Sequence, residues 1–233
     1  MDIICTTFFT SGLDPQKNIK WETNGFEKIS EFYNSIKTLD LNCVIFYDEL
    51  SDLFINEYST DKIKFEKVKP SSLNLIDVRW VIYKDYLEKN KNINRVFFTD
   101  ISDIVVLKNP FNFITKNVIY CGDEEMLNND SLWMKHCYMC LKHLDVQKIN
   151  ECYKHKVLNA GILGGEKDLI YDVINKMSDI LINSNIKHTT VDMCTLNYVL
   201  YTYYSDKIIH GLPVNTVFNN YETDNKIAWF KHK

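Results

Sequence analysis

Four short apolar runs, at residues 3–9, 44–47, 96–98 and 118–120, set the tightest limit on how this chain folds. None alternates strictly between apolar and polar residues. That pattern fits strands buried on both faces, as in a parallel sheet sandwiched between helices. Helical spacing fills the intervals. Phe26, Ile29, Phe32 or Tyr33, and Ile36 share one helix face, and Ile76, Tyr83 and Leu87 share another. In the second half Ile170, Val173, Ile174, Met177, Ile180 and Leu181 mark a third helix, and Val191, Cys194, Tyr198 and Tyr201 a fourth. Strand and helix in alternation predict an α/β sandwich of the doubly wound kind. With no internal repeat and no Pro/Gly/Ser linker, residues 1–233 are expected to form one domain.

Composition narrows the function. The 233 residues are 45% hydrophobic, enough for a sizeable core and too many for a disordered chain. No apolar run approaches the ~18 residues of a membrane span. Asp2 stands where a signal peptide carries positive charge, so the expected location is the cytoplasm. Seven scattered cysteines, an odd number, read as mostly reduced thiols. The net charge is −4, Arg79 and Arg95 are the only arginines, and no basic stripe of the kind nucleic-acid binding needs is present. Seven glycines occur, and three of them crowd into positions 161, 164 and 165.

In a doubly wound sheet, ligands bind beyond the carboxyl ends of the strands. The first run exits into TSGLDPQK, the second into Asp48 and Glu49, and the third into a turn carrying Asp100 and Asp103. Two carboxylates at a strand end suit a hard divalent cation such as Mn²⁺ or Mg²⁺, which takes oxygen ligands and often substrate phosphates. The plainer reading of either aspartate is a helix cap or a turn. VLNAGILGG, 157–165, places small residues where another backbone or a ligand can approach, with Asn159 as a polar head for a substrate hydroxyl. In TTVDMCTLNYVL, 189–200, Thr189 or Thr190 can cap a helix, and Asp192 either stabilises its dipole or faces the reacting group. Asn197, five residues on, need not share the face of Asp192. At the C-terminus His232 and Lys233 offer a third metal ligand and a phosphate cation, against the ordinary expectation that terminal residues are solvated.

Taken in order, these segments resemble the GT-A glycosyltransferases that use nucleotide-diphosphate sugars, most of all the small glycosyltransferase domains of large DNA viruses. The resemblance covers nearly the whole chain and implies a Rossmann-like three-layer sandwich around a mainly parallel sheet. It implies a nucleotide site on FFTSGLDPQK, 8–17, and on Thr6, Thr7 and Phe8. It also implies an arginine facing the donor, Arg79, in IDVRWVIYKDYL. FTDISDIVVL is similar to the metal-binding D-x-D segment, which gives Asp100, Asp103 and His232 as ligands of Mn²⁺ or Mg²⁺. NAGILGG and DMCTLN are similar to the sugar-pocket segments, which gives Ala160 and Gly161 as donor-binding residues, Asn159 and Asp192 as catalytic ones, and Lys233 on the diphosphate. The implied reaction moves a sugar from a UDP-sugar or similar donor to a glycan or other hydroxyl, with retention. The spacing D-x-x-D is one residue longer than D-x-D, so a bulged turn is needed to bring both aspartates to one ion.

A second cluster points elsewhere. His136, Cys137, Cys140 and His143, followed by Cys152 and His155, have zinc-like spacing. The segment also reads as helix, in which such thiols are small core hydrophobes. The competing functions are therefore a zinc-stabilised interaction module, a nucleotidyltransferase, and a transferase homologue that binds donor without turnover. The nucleotidyltransferase usually has a Gly-rich, basic first loop, and TSGLDPQK carries one glycine and one lysine.

Overall fold

The structure is a computed structural model that describes residues 1–14, 18–71, 73–222 and 224–233. Residues 15–17 of the expected nucleotide loop lie outside the described residues. In chain order the elements are β1 (Asp2–Phe8), β2 (Leu13–Asp14), β3 (Ile19–Lys20), α1 (Ser30–Thr38), β4 (Cys43–Tyr47), α2 (Asp52–Tyr58) and β5 (Ile63–Lys67). Then come α3 (Val78–Lys89), β6 (Arg95–Thr99), β7 (Ile104–Val106), β8 (Ile119–Leu127), α4 (Leu132–Cys140), α5 (Val146–Cys152) and β9 (Lys156–Glu166). The chain finishes with α6 (Lys167–Ser184), α7 (Asp192–Tyr203), β10 (Ile208–His210) and β11 (Phe230–His232).

The central sheet has the order β10-β8-β9-β6-β1-β4-β5. The strands β6, β1, β4 and β5 run parallel, and so do β8 and β10, while β9 is antiparallel to both its neighbours. Two of the expected runs are β1 and β4, the third is the middle of β6, and the fourth opens β8. The sequence pattern did not reveal β5 or β10, nor that NAGILGG belongs to an eleven-residue central strand.

Each strand feeds two apolar layers. On β1, Ile3 and Cys5 pack with Trp80, Tyr83 and Leu87 of α3 and with the buried faces of α6 and α7. Ile4 and Phe8 point the other way, onto Ile29, Phe32 and Ile36 near α1, Phe54 of α2 and Phe230 of β11. This two-sided burial explains why the strands do not alternate. Fully burying one such side chain contributes about 1.5–3 kcal/mol. Local chemistry sets the ends of the elements. Ser51 and Ser131 accept from the N–H groups of Phe54 and Met134 at the starts of α2 and α4, and α6 stops where Asn185 turns left-handed.

Gly164 is required where β9 crosses β6. A Cβ there would stand 2.1 Å from the Phe97 ring, so only hydrogen lets the aromatic side chain lie across the strand. The close pairing of β9 with the middle of β6 therefore needs that glycine. Among the described residues no helix is long and apolar enough to cross a membrane.

Candidate active site

A cavity of about 750 Å³ opens beyond the carboxyl ends of β1 and β6, where the doubly wound rule places ligands. Thr7, Phe8 and Phe9 enter it from β1 and its exit, and Asp100 and Asp103 from the turn between β6 and β7. The C-terminal residues are held, not frayed. β11 pairs antiparallel with β7, which sets His232 opposite Ile104, and the Lys233 N–H donates to the Asp103 carbonyl at 2.9 Å. The His232 N–H also donates to Thr216 Oγ1 at 3.0 Å. These bonds strap His232 and Lys233 alongside the aspartate turn. The Lys233 ammonium pairs with Glu31 of α1 and also lines the cavity, and burial pushes its pKa down.

Arg79 is the electrostatic centre of the wall. It is buried on the first turn of α3. One guanidinium nitrogen donates to Asp100; the other donates to Asp192 Oδ2 at 2.8 Å and to the Ala160 carbonyl at 3.2 Å. Burial opposes its charge, but Asp100 and Asp192 outweigh that and hold Arg79 firmly protonated. Trp80 Nε1 donates to the same Asp192 oxygen at 3.3 Å. Behind them Asp77 accepts from the N–H groups of Val191 and Asp192 and from Asn74 Nδ2 at 2.6 Å. It thereby caps α7 from another element and fixes where Asp192 projects. Burial, and next the charge of Asp192, push the Asp77 carboxyl up to about 7.

On the facing wall, Asn159 is pinned at both ends. Its Oδ1 accepts from the Gly161 N–H at 2.7 Å, and its Nδ2 donates to Glu124 Oε1 at 2.8 Å. Burial raises the Glu124 carboxyl, and the Asn159 bond offsets only part of that rise. The Asp100 N–H donates to the Gly161 carbonyl at 3.0 Å. A Cβ on Gly161 would lie 2.8 Å from Asp100 Oδ2 and 3.0 Å from both Asn159 Oδ1 and His232 Cε1. Gly161 is thus the point on which the aspartate, asparagine and histidine converge.

The three residues expected to bind a cation lie along one side of the cavity. His232 is buried, and among the described residues its Nδ1 has no hydrogen-bond partner. Burial lowers its pKa, against the pull of Asp100 and Asp103, so the ring is held neutral, the form that binds metals. Asp103 accepts from Ser102 Oγ at 2.7 Å and shares the cavity with Asp100 and His232. Among the described residues no group of three or more His, Cys, Asp or Glu side chains is placed to hold a metal ion, so Asp100, Asp103 and His232 share the cavity without forming a ligand set by themselves.

Eleven of the twelve expected residues line this cavity: Thr7, Phe8, Arg79, Asp100, Asp103, Asn159, Ala160, Gly161, Asp192, His232 and Lys233. Thr6 does not. Strand alternation turns it into the sheet, where its hydroxyl donates to the Thr99 carbonyl at 2.8 Å. Asp48, at the exit of β4, is likewise a loop clamp rather than a cavity residue. Its carboxylate accepts from the N–H groups of Thr10 and Glu49 at 2.8 and 2.7 Å and from the Ser11 hydroxyl. The sequence reading missed Asp77, Glu124, Trp133 and Met193. Glu124 did carry a signal, as an acid shortly after a strand run, but the acidic stretch DEE reads as solvated surface. Asn197 lies off the cavity and bolts α7 to β9.

The Cys/His segment folds differently from a zinc site. Cys137 is buried with its thiol 3.4 Å from the Thr190 carbonyl, Cys152 packs under α7 near the Asn197 carbonyl, and His155 stacks on Tyr201 at 4.4 Å. These residues fill the layer formed by α4, α5 and α7, and among the described residues they form no metal group.

The architecture is that of a GT-A, Rossmann-like sandwich. The central sheet is mostly parallel with helices on both faces, and the fold superposes on that of a solved glycosyltransferase. One of the 206 solved chains that match is the galactosyltransferase LgtC in complex with donor and acceptor sugar analogues. The superposition has a TM-score of 0.60 and covers all of this chain and 86% of that one, at 12% sequence identity. At that identity the likeness is one of fold. No family profile matches the sequence, and no curated protein matches it.

Proposed function

We propose that this chain is a metal-dependent glycosyltransferase that moves a sugar from a nucleotide-diphosphate donor, with UDP favoured, to a glycan or other hydroxyl acceptor. One observation carries the reading. Asp100, Asp103, His232 and Lys233 meet Asn159 and Asp192 in a single cavity beyond the parallel strand ends. The GT-A fold supports it, since the structural neighbour LgtC is a galactosyltransferase held with donor and acceptor sugar analogues.

In this reading the base lies near Thr7 and Phe8, with the diphosphate directed at the turn of Asp100 and Asp103. Asp100, Asp103 and His232 would hold Mn²⁺ or Mg²⁺, which supplies Lewis-acid stabilisation of the charge on the departing diphosphate. Lys233 adds a second positive charge there. Arg79 fixes Asp100 and Asp192 in place, and both its Nη groups are already committed to the protein, so its role is to orient the carboxylates. Asn159 presents its face to the sugar, held by Gly161 and Glu124. Gly161, lacking a Cβ, lets Asp100, Asn159 and His232 converge on that point of the wall. Retention rests on the likeness of NAGILGG and DMCTLN to retaining relatives.

Thermal melting tests the proposal. Ligand at one hundred times its Kd stabilises the native state by about 2.7 kcal/mol, which for a chain of this size raises Tm by about 5–10 °C. We expect such a shift with UDP or a UDP-sugar only when Mn²⁺ is present, and its loss in Asp103→Ala. Equal shifts with and without Mn²⁺, or none with any nucleotide, would rule the reading out.

A further inference from the structure

Among the described residues four acidic side chains line the cavity, and three are engaged by positive or hydroxyl partners. Asp100 and Asp192 are bound by Arg79, and Asp103 accepts from Ser102. Glu124 differs. Its one side-chain partner among the described residues is the neutral Asn159 amide, which holds Oε1 at 2.8 Å. The second oxygen, Oε2, has no protein partner among the described residues, and Glu124 itself lines the cavity. We infer that Glu124 is a catalytic residue: the base that accepts the proton of the acceptor hydroxyl. The inference rests on the glycosyltransferase reading and gives a role to a residue outside the metal and donor sites.

The backbone is built to aim this side chain. The pairing of β8 with β9 shifts register between Cys121 and Gly122 and again between Asp123 and Leu127. Irregularities of this kind redirect side chains beside active sites. Here neighbouring acids diverge. Asp123 turns to His210 Nδ1 at 2.9 Å and to Lys156, while Glu124 turns to the cavity and Asn159. Asn159 is locked in turn by the Gly161 N–H, so the carboxylate is fixed relative to the sugar pocket. Partial burial, with the nearby charge of Asp123 opposing ionisation, makes Glu124 more basic than a surface glutamate, as a base working near neutral pH requires.

The step balances. The acceptor O–H bond breaks and its proton goes to Glu124 Oε2. The oxygen lone pair forms the new bond to the anomeric carbon. The bond from that carbon to the donor phosphate oxygen breaks, its electron pair leaves on the nucleoside diphosphate, and Glu124 returns its proton to water. The departing phosphate oxygen competes for the same proton, so the rate lost without Glu124 measures how much of it the carboxylate takes.

The test compares wild type with Glu124→Gln and Glu124→Ala, using UDP-galactose and UDP-glucose with Mn²⁺ and a panel of methyl glycosides. Glu124→Gln keeps the bond to Asn159 and loses only basicity. We expect kcat to fall about 10²–10³-fold, in the range general-base catalysis supplies, with the UDP/Mn²⁺ melting shift unchanged. Added formate should restore part of the rate in Glu124→Ala. A kcat within threefold of wild type in Glu124→Gln overturns the inference and assigns the proton to the phosphate. A loss confined to donor binding, or to apo stability, also overturns it. If wild type transfers no sugar from either donor, the glycosyltransferase reading fails first and the role of Glu124 falls with it.

Discussion

Gly161 sets the tolerance of the site at the scale of one residue. Three polar side chains from three different segments crowd the place where its Cβ would be, the nearest being Asp100 Oδ2 at 2.8 Å. Gly161→Ala must therefore push Asp100 or His232 aside. The expected result is loss of the Mn²⁺-dependent UDP shift, while the apo protein loses about 1–3 kcal/mol from overpacking; melting with and without UDP/Mn²⁺ separates the two effects. Asp77 makes a prediction about pH. Its folded pKa of about 7 lies well above its unfolded value, because burial and Asp192 oppose its charge. From about pH 4 to 7 the native state then binds more protons than the unfolded chain, so this group's contribution to stability falls as pH rises and levels off above 7. Asp77→Asn has no charge to lose. The stability difference between wild type and variant, from urea unfolding at pH 5 and pH 8, should favour wild type more at pH 5. The opposite slope would mean that the three donors facing Asp77 keep it ionised.

At the scale of elements, the site depends on how α7 sits against β9. Asn197 is fully buried and makes the joint. Its Nδ2 donates to the Leu158 and Met193 carbonyls at 2.7 and 2.8 Å, and its Oδ1 accepts from the Leu158 N–H at 2.9 Å and from Asn128 Nδ2 at 3.1 Å. Leu158 precedes Asn159, and Met193 follows Asp192, so one amide sets the spacing of two site residues. Asn197→Ala strands several buried polar groups at about 1–3 kcal/mol each before relaxation. A drop of about 2–4 kcal/mol in urea unfolding is expected. A loss below about 0.5 kcal/mol, the size of an ordinary surface change, would show that the joint is carried by apolar packing alone. The sequence offered Asn197 only as a polar residue off the register of Asp192. Its four bonds reach two other segments, and no spacing along the helix encodes them.

The whole molecule decides between a zinc-held module and a scaffold held by its core. All seven cysteines are free, six of them buried, and Cys140 alone is partly exposed. A thiol reagent should label Cys140 in the native protein and the other six only on unfolding. EDTA should leave the apo Tm unchanged; a collapse on chelation would restore the zinc reading. The two apolar layers run along opposite faces of the same sheet, so the sheet ends that wall the cavity are packed from both sides. Most of that architecture was legible in the sequence, since runs buried on both faces and amphipathic helices advertise themselves through local periodicity. The full length and antiparallel sense of β9 were not legible, because what its glycines make room for, the Phe97 ring of β6 and the Val118 carbonyl just before β8, comes from distant segments.

The sequence by itself determined the alternating α/β order, the strand-end aspartates and the small-residue segment, because each is written in contiguous residues. It also supplied Arg79, His232 and Lys233 as candidates, through their place in an ordered set of segments. Tertiary structure decided what those residues do to one another. It buried Arg79 between Asp100 and Asp192, tied the C-terminal strand to the aspartate turn, turned Thr6 and Asp48 away from the cavity, and left Glu124 facing it beside Asn159. The physical reason is distance along the chain: a carboxylate acquires its charge partners, its burial and its aim from residues far away in sequence, and only the folded sheet brings them within hydrogen-bond reach.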